Sequence, residues 1–209
     1  MSQIQHRAGL ALPGGRDGRL MLALGAKRGI DVVGALIGLL ALVPVLGLLV
    51  LAARLSGSGP VLFRQEREGR DGRRFVIFKL RSMSAGGDEQ VTRLGRWLRR
   101  SSADELPQLW NVLIGEMSLV GPRPHVVDMR VNGVRYRDLV PRYEARHAMR
   151  PGMTGLAQVS GWRGTVGDDA HAAARVACDL RYVREFSLGL DLAIVLRTLR
   201  PSVLFTRDP

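Results

Sequence analysis

The stretch VVGALIGLLALVPVLGLLVLAA, Val32 to Ala53, carries no charged side chain, and its reading decides what the rest of the chain must be built around. It meets the roughly 20 apolar residues that a helix needs to cross a bilayer. It starts late and has no small-residue cleavage site before the basic segment beyond it, which does not fit a secretory signal peptide. Two readings remain: a helix that spans the membrane, and one that enters it and turns back. Pro44, near the middle, lacks the N–H that would bond one turn back, so it kinks or breaks a helix there. Lys27 and Arg28 precede the run, and Arg54, Arg64, Arg67, Arg70, Arg73 and Arg74 follow it. A spanning segment usually has its basic excess on one side. Basic residues on both sides favour a re-entrant helix whose two ends share the cytoplasmic face.

Composition narrows the partner. The chain has 209 residues, with 31 Lys+Arg against 19 Asp+Glu and a formal charge of +12, which calls for an anionic partner such as anionic lipid or a phosphorylated substrate. Aromatic residues make up only 5%, and there is no zinc spacing, RNA-binding signature or basic low-complexity tail, which argues against nucleic acid. The one cysteine, Cys178, excludes a disulfide framework and suits a reducing compartment. It is expected to be buried core filler.

Downstream of the apolar run, SGSGP (Ser56 to Pro60) reads as a break. Val61 to Gln65 and Arg74 to Leu80 read as strands of a β-hairpin, with Asp71-Gly72 as turn chemistry. A basic amphipathic segment, LGRWLRR (Leu94 to Arg100), leads into SSADELPQLW. There Ser102 and Glu105 have the spacing of a capping box, and Glu105 to Ile114 reads as a helix with Pro107 in its first turn. Gly121-Pro122-Arg123-Pro124 and Arg150-Pro151-Gly152 are rigid loops, and Asp168 to Phe186 is a helix. The tail from Leu188 to Phe205 places Leu188, Leu192, Val195 and Leu199 at helical spacing, which fits a helix at the membrane interface or a buried core helix. The expected fold class is α+β and mainly helical.

The adjacent carboxylates Asp104 and Glu105 have two explanations. One is a helix cap that complements the dipole; the other is a nucleophile or metal ligand kept ionised at a helix start. Taken with Lys79, Arg81, Arg99 and Arg123, the pair could bind a phosphate and a divalent metal. Magnesium takes oxygen ligands, often one or two carboxylates plus substrate phosphates.

In this order the segments KRGID (Lys27 to Asp31), GPVLFRQEREG (Gly59 to Gly69), FKLRSM (Phe78 to Met83), DELPQLWNVLIGEMSLVGPRP (Asp104 to Pro124), RPGMTGLAQVSGWRG (Arg150 to Gly164) and LGLDLAIVLRT (Leu188 to Thr198) closely resemble the bacterial sugar transferase family. These are small monotopic phosphoglycosyl transferases acting on polyprenol phosphates, and the resemblance covers roughly Lys27 to Thr206. It implies transfer of a sugar 1-phosphate from a UDP-sugar to undecaprenyl phosphate, as in exopolysaccharide assembly. Asp104 would be the nucleophile, and Asp104 and Glu105 the ligands of Mg²⁺. Lys79, Arg99, Arg123, Arg163 and Asp191 are the expected substrate and phosphate contacts. For Asp191, a helix cap is the competing role.

Residues 1–24, with Gly14, Gly15 and Gly18 and little periodicity, read as a flexible lead-in. The resemblance also implies a monotopic domain on the cytoplasmic face of a bacterial inner membrane, with a re-entrant helix (25–56) broken at Pro44 and a catalytic domain (57–209) carrying interfacial amphipathic helices. The sequence reads as a minimal form of the family. It departs from the family's pattern at Val43, Ala103, Phe186 and Gly189, which bear on the membrane break, the start of the acid pair and the fit of the last helix. Gly161-Trp162-Arg163-Gly164 looks more like members that transfer hexose 1-phosphate, glucose or galactose, than those handling acetamido sugars. Membrane lipid is a further expected partner, and a homo-oligomer is left open. The competing classes are a membrane-bound scaffold, with the acid pair as a cap only, and a metal-dependent diphosphate hydrolase.

Overall fold

A computed structural model of the chain describes residues 17–55, 59–84, 90–164, 167–200 and 203. It is mainly helical, with three small two-stranded sheets among the described residues. The first helix, α1, runs from Asp17 to Leu55. Residues 17–24, expected in a flexible lead-in, are therefore its opening turns, since Leu20, Met21, Leu22 and Leu24 are strong helix formers that outweigh Gly18. Residues 1–16 lie outside the described residues, as do residues 56–58 of the expected SGSGP break. Pro44 sits inside α1 and does not end it, so of the expected kink or break the helix shows no break. A proline removes one backbone bond, and the Leu, Ala and Val residues around it continue the helix on both sides.

What holds α1 is a single face. Lys27 Nζ donates to the carbonyl oxygen of Val120 (2.9 Å) and to Asp191 Oδ2 (2.7 Å). Arg28 donates to the carbonyls of Val112 (2.6 Å) and Leu113 (2.9 Å), near the C-terminal end of α3 (Gln108–Ile114). There it gives the Leu113 carbonyl a donor, shares the Val112 carbonyl with the Gly115 N–H, and complements the helix dipole. Asp31 Oδ1 accepts from Ser118 Oγ and the Leu119 N–H, both at 3.0 Å. Further along, Ala35 packs with Phe75, Ile77, Leu109, Val112 and Met117, and Leu49 and Ala53 pack with Leu80, Leu98 and Ala103. At the far end Arg81 Nη2 donates to the Ala53 carbonyl (2.9 Å). The opposite face is apolar and bare: Ile37, Leu40 and Leu48 are each more than 60% exposed.

The hairpin forms as expected. β1 (Leu62–Glu68) pairs antiparallel with β2 (Arg74–Leu80), from Leu62 opposite Leu80 to Glu68 opposite Arg74. Its turn uses positive φ at Asp71 (57°) and Gly72 (71°), which a short side chain and a glycine tolerate. α2 (Arg93–Ser101) is capped by the Thr92 side chain, which accepts from the Gly95 N–H (2.9 Å). The expected helix over Glu105 to Ile114 is split: Ala103–Glu105 form a 3₁₀ turn, and α3 starts only after Pro107. Ser102 in left-handed backbone (φ 55°) separates α2 from that turn.

β3 (Ser118–Val120) is followed by the little hairpin of β4 (Arg130–Val131) and β5 (Val134–Arg135) and by α4 (Tyr136–Leu139). β3 pairs in parallel with β6 (Gly152–Thr154), so the two proline-glycine loops lie side by side. α5 (Leu156–Val159) and α6 (Asp169–Glu185) follow, the latter capped by Asp168 close to its expected bounds. α7 (Leu188–Thr198) buries Ile194 and exposes Leu192 and Leu196, and Leu199 just past its end is exposed as well. The tail beyond residue 200 lies outside the described residues, Val203 excepted. Cys178 is half-buried against the cluster formed by Val120, Leu156, Tyr182 and Ile194, so it is less enclosed than core filler.

The loop pair demands glycine for close approach. The Gly121 N–H donates to the Thr154 carbonyl and the Gly152 N–H to the Pro122 carbonyl, both at 2.9 Å, and a Cβ on Gly152 would stand 2.1 Å from Gly121 N. Gly152→Ala therefore destabilises by about 1–3 kcal/mol, the usual cost of overpacking. Thermal unfolding in detergent checks this against Gly25→Ala, where nothing lies within 4 Å of the new methyl and Tm is unchanged or raised.

Candidate active site at the acid pair

Four elements converge on Asp104 and Glu105. The 3₁₀ turn presents the two acids, the end of β2 supplies Lys79, the loop after β3 supplies Arg123, and α2 supplies Arg99. Glu105 Oε1 accepts from Lys79 Nζ (2.7 Å) and Arg123 Nη2 (2.9 Å). Asp104 Oδ2 lies 3.9 Å from Lys79 Nζ, and among the described residues no group hydrogen-bonds to its carboxylate. The capping-box explanation fails on these contacts. The Ser102 side chain makes no cap bond, and its Oγ accepts instead from Arg163 Nη2 (2.8 Å), while Glu105 is directed to two cations.

The two acids are electrostatically unlike. Burial pushes the Asp104 carboxyl up to about 6, opposed by the charge of Lys79 and, more weakly, of Arg123 and Arg99. Burial also acts against the charge on Glu105, but Arg123 and Lys79 outweigh it by charge and hydrogen bonds and hold its carboxyl well below the usual range. Glu105 in turn raises the Arg123 guanidinium. One acid is thus a fixed counter-charge, and the other is a buried carboxylate without a hydrogen-bond donor.

The structure brings Lys79 and Arg123 directly to the pair, with Arg99 and Arg163 one residue removed. Arg99 Nε donates to Ser82 Oγ (2.9 Å), and Arg163 reaches Ser102. Asp191 is not part of this cluster: its oxygens accept from Lys27 Nζ and from the Tyr182 hydroxyl, each at 2.7 Å. Nor is it the cap of α7, since Ser187 fills that position. It ties the membrane helix to α6 and α7. Arg81, grouped with Lys79 in the sequence, serves the far end of α1.

Sequence reasoning missed Arg67, which stood there only as a flanking charge. Its Nη1 donates to the Pro124 carbonyl (3.3 Å), its Nη2 to Gln65 Oε1, and no carboxylate lies within 4 Å among the described residues. Burial and the charge of Arg123 lower it to about 10. The strand alternation could have found it, because Arg67 and Lys79 belong to cross-strand pairs on one face of the hairpin, Arg67 opposite Phe75 and Lys79 opposite Phe63.

Among the described residues no group of three or more His, Cys, Asp or Glu could hold a metal ion. Two adjacent carboxylates, one of them without a hydrogen bond, nevertheless suit magnesium, which takes most of its remaining ligands from water and substrate phosphates.

A long apolar helix docked on a small α+β domain, with an acid pair set among basic groups, is the frame of a membrane-associated transferase of phosphorylated groups. The chain belongs to the bacterial sugar transferase family, whose model matches residues 22–205. It is 46% identical over 185 residues to the exopolysaccharide production protein PSS of Rhizobium leguminosarum bv. phaseoli, covering 83% of this chain and 92% of that one. It is 46% identical over 205 residues to a UDP-glucose:undecaprenyl-phosphate glucose-1-phosphate transferase of Caulobacter vibrioides, covering 93% of this chain and 75% of that one. It is 44% identical over 194 residues to an undecaprenyl-phosphate glucose phosphotransferase of Komagataeibacter xylinus, covering 87% of this chain but only 36% of the longer relative.

The unlike acids give a stability test. The Asp104 value is raised in the fold, so its favourable contribution belongs to the protonated form and is lost as pH rises from about 4 through about 6. The Glu105 value is depressed, so its contribution is present above its unfolded value and lost as pH falls. At pH 7.5, thermal unfolding without added metal should show Asp104→Asn with an equal or higher Tm and Glu105→Gln with a clearly lower one. Equal losses in both would contradict the assignment.

Proposed function

We propose that the protein transfers a hexose 1-phosphate, glucose or galactose, from a UDP-sugar to undecaprenyl phosphate at the cytoplasmic face of a bacterial inner membrane, as the first membrane step of exopolysaccharide or related glycan assembly. The observation that carries this reading is the division of labour in the acid pair, Glu105 bound by two cations and Asp104 with none hydrogen-bonded to it. In the first step an Asp104 oxygen attacks the β-phosphorus of the UDP-sugar. A P–O bond to Asp104 forms, the bond from the β-phosphorus to the bridging oxygen breaks, and UMP leaves with that electron pair. In the second step an oxygen of the lipid phosphate attacks the same phosphorus and the aspartate carboxylate departs. A carboxylate nucleophile that forms a covalent intermediate divides one difficult transfer into two.

This chain's basic groups supply the positioning and charge neutralisation on which phosphoryl transfer depends. Lys79 and Arg123, fixed by Glu105, face the phosphates, with Arg99 and Arg163 at the margin. Burial raises the Asp104 carboxyl to about 6, so the nucleophile is ionised at neutral pH yet weakly solvated. Asp104 and Glu105 would hold Mg²⁺, which when bound neutralises phosphate charge. Asp191 acts through Lys27 and α1, not on substrate. The hexose choice rests on Gly161-Trp162-Arg163-Gly164 and on relatives whose names specify glucose.

The re-entrant topology belongs to the same proposal. Lys27 and Ala53 both contact the one domain, and a helix rising about 1.5 Å per residue carries them further apart than the hydrocarbon of a bilayer is thick. A span along the bilayer normal would place them on opposite sides. Both ends on the domain's side support entry and return by a bend at Pro44, where the missing backbone bond lets the helix turn without ending, with the bare face of α1 and the exposed Leu192 and Leu196 of α7 meeting lipid.

Intact-mass spectrometry tests the chemistry. Wild-type protein incubated with Mg²⁺ and UDP-glucose or UDP-galactose, without acceptor, should gain a hexose-phosphate that undecaprenyl phosphate discharges, while Asp104→Asn gains nothing. Labelling by UDP-acetamido sugars alone would overturn the sugar, and labelling of Asp104→Asn would overturn the nucleophile.

A further inference from the structure

Two buried arginines of this chain reach backbone carbonyls, and the carbonyls they choose belong to the two loops that carry Arg123 and Arg163. Arg175, 3% exposed, donates from Nε to the Trp162 carbonyl (3.2 Å) and from Nη2 to the Gly164 carbonyl (2.8 Å), the residues on either side of Arg163. Arg146, 1% exposed, donates from Nη2 to the carbonyl of Arg123 itself and holds Asp179 Oδ2 with Nε (3.0 Å) and Nη2 (2.6 Å).

Arg175 and Asp179 are one turn apart on α6 and so lie on one stripe. Four residues before Arg175 on the same stripe, His171 meets the Trp162 ring edge-on at 5.3 Å. No carboxylate lies within 4 Å of Arg175 among the described residues, so its charge is spent on peptide oxygens. Burying a guanidinium is costly unless its donors are satisfied, and the planar fork of arginine, with donors at fixed angles, holds two carbonyls in a set geometry that a flexible ammonium does not. A core needing only stability would be served as well by apolar side chains of similar volume.

We infer that Arg175 and Asp179 on α6, the latter acting through Arg146, are positioning residues that set the two phosphate-facing loops, and with them Arg163 and Arg123, at fixed distances from one another. The inference rests on the proposed transfer reaction for its consequence, but the positioning itself has its own readout. In this scheme α6 is a ruler: one turn fixes the loop at 162–164, the next fixes the loop at 121–124, and neither arginine touches substrate.

The test uses the full chain in nanodiscs with Arg175→Lys, Arg146→Lys and the isosteric Asp179→Asn. Hydrogen–deuterium exchange is expected to speed up at residues 160–164 in Arg175→Lys while residues 121–125 stay protected, with the reverse in Arg146→Lys and Asp179→Asn. In steady-state assays Arg175→Lys should cost about tenfold or more in kcat/KM for the UDP-sugar. Combined with Arg163→Ala it should add less than about twofold, because both changes act through one group, whereas independent effects multiply. Unchanged exchange at both loops in folded variants, or exchange raised evenly over the whole domain, would overturn the positioning role. Multiplicative kinetics would overturn its route through Arg163. Wild-type protein that turns over no UDP-sugar would sink the proposed reaction and leave the exchange result to decide the positioning.

Discussion

Lys27 is the pin on which the arrangement turns. Its ammonium is buried, bonded to the Val120 carbonyl and to Asp191, with Asp31 a turn away at 3.9 Å. A buried ion pair is not by itself evidence of high stability, but removing one partner typically costs about 3–5 kcal/mol because the other is left charged and unpaired. That penalty holds the start of α1 against β3 and α7, so the most apolar segment of the chain cannot drift from its most polar domain. Val120 directly precedes the Gly121–Pro124 loop, which means that the same contact joins the membrane helix to the segment carrying Arg123.

From this pin the site follows by packing. α1 covers the core made by Phe75, Ile77, Leu109 and Val112, which fixes β2 against α3 and brings Lys79 opposite the turn between α2 and α3. The turn is a 3₁₀ element entered through left-handed Ser102, so its two acids are aimed differently: Glu105 into the cations, Asp104 past them. Two like groups given opposite environments can take opposite roles, one held ionised as a counter-charge and one kept reactive.

Local chemistry made much of this readable. The Asp71-Gly72 turn, the Asp168 cap of α6 and the apolar length of α1 are each set by a few neighbouring residues, and the sequence shows them. The cluster of Asp104, Glu105, Lys79 and Arg123 was legible as a set because Asp104, Glu105 and Arg123 fall in the segment Asp104 to Pro124 and Lys79 in Phe78 to Met83, both of which resemble the family. What could not be read depended on partners far along the chain. Ser102 and Glu105 have capping spacing, yet Arg163 and the Lys79–Arg123 pair compete for their side chains and win. Asp191 looked like a cap or a substrate ligand, and only the fold shows Lys27 in front of it. Arg146, Arg175 and Asp179 have no motif: the two arginines donate to backbone carbonyls, which any sequence possesses, and Asp179 accepts from Arg146. Pro44 marks a missing bond, but whether a helix ends at such a point is set by what packs on either side.

The central claim is that one domain holds both ends of the apolar helix on its own side of the membrane. Single cysteines at Gly18 and Gly59, in a Cys178→Ser background, can be labelled with an impermeant maleimide in spheroplasts and in inverted inner-membrane vesicles. The account predicts that both sites label only in the inverted vesicles, with the catalytic domain. Labelling of the two sites from opposite sides would show a true span and would contradict the docking of Lys27 and Ala53 on one domain.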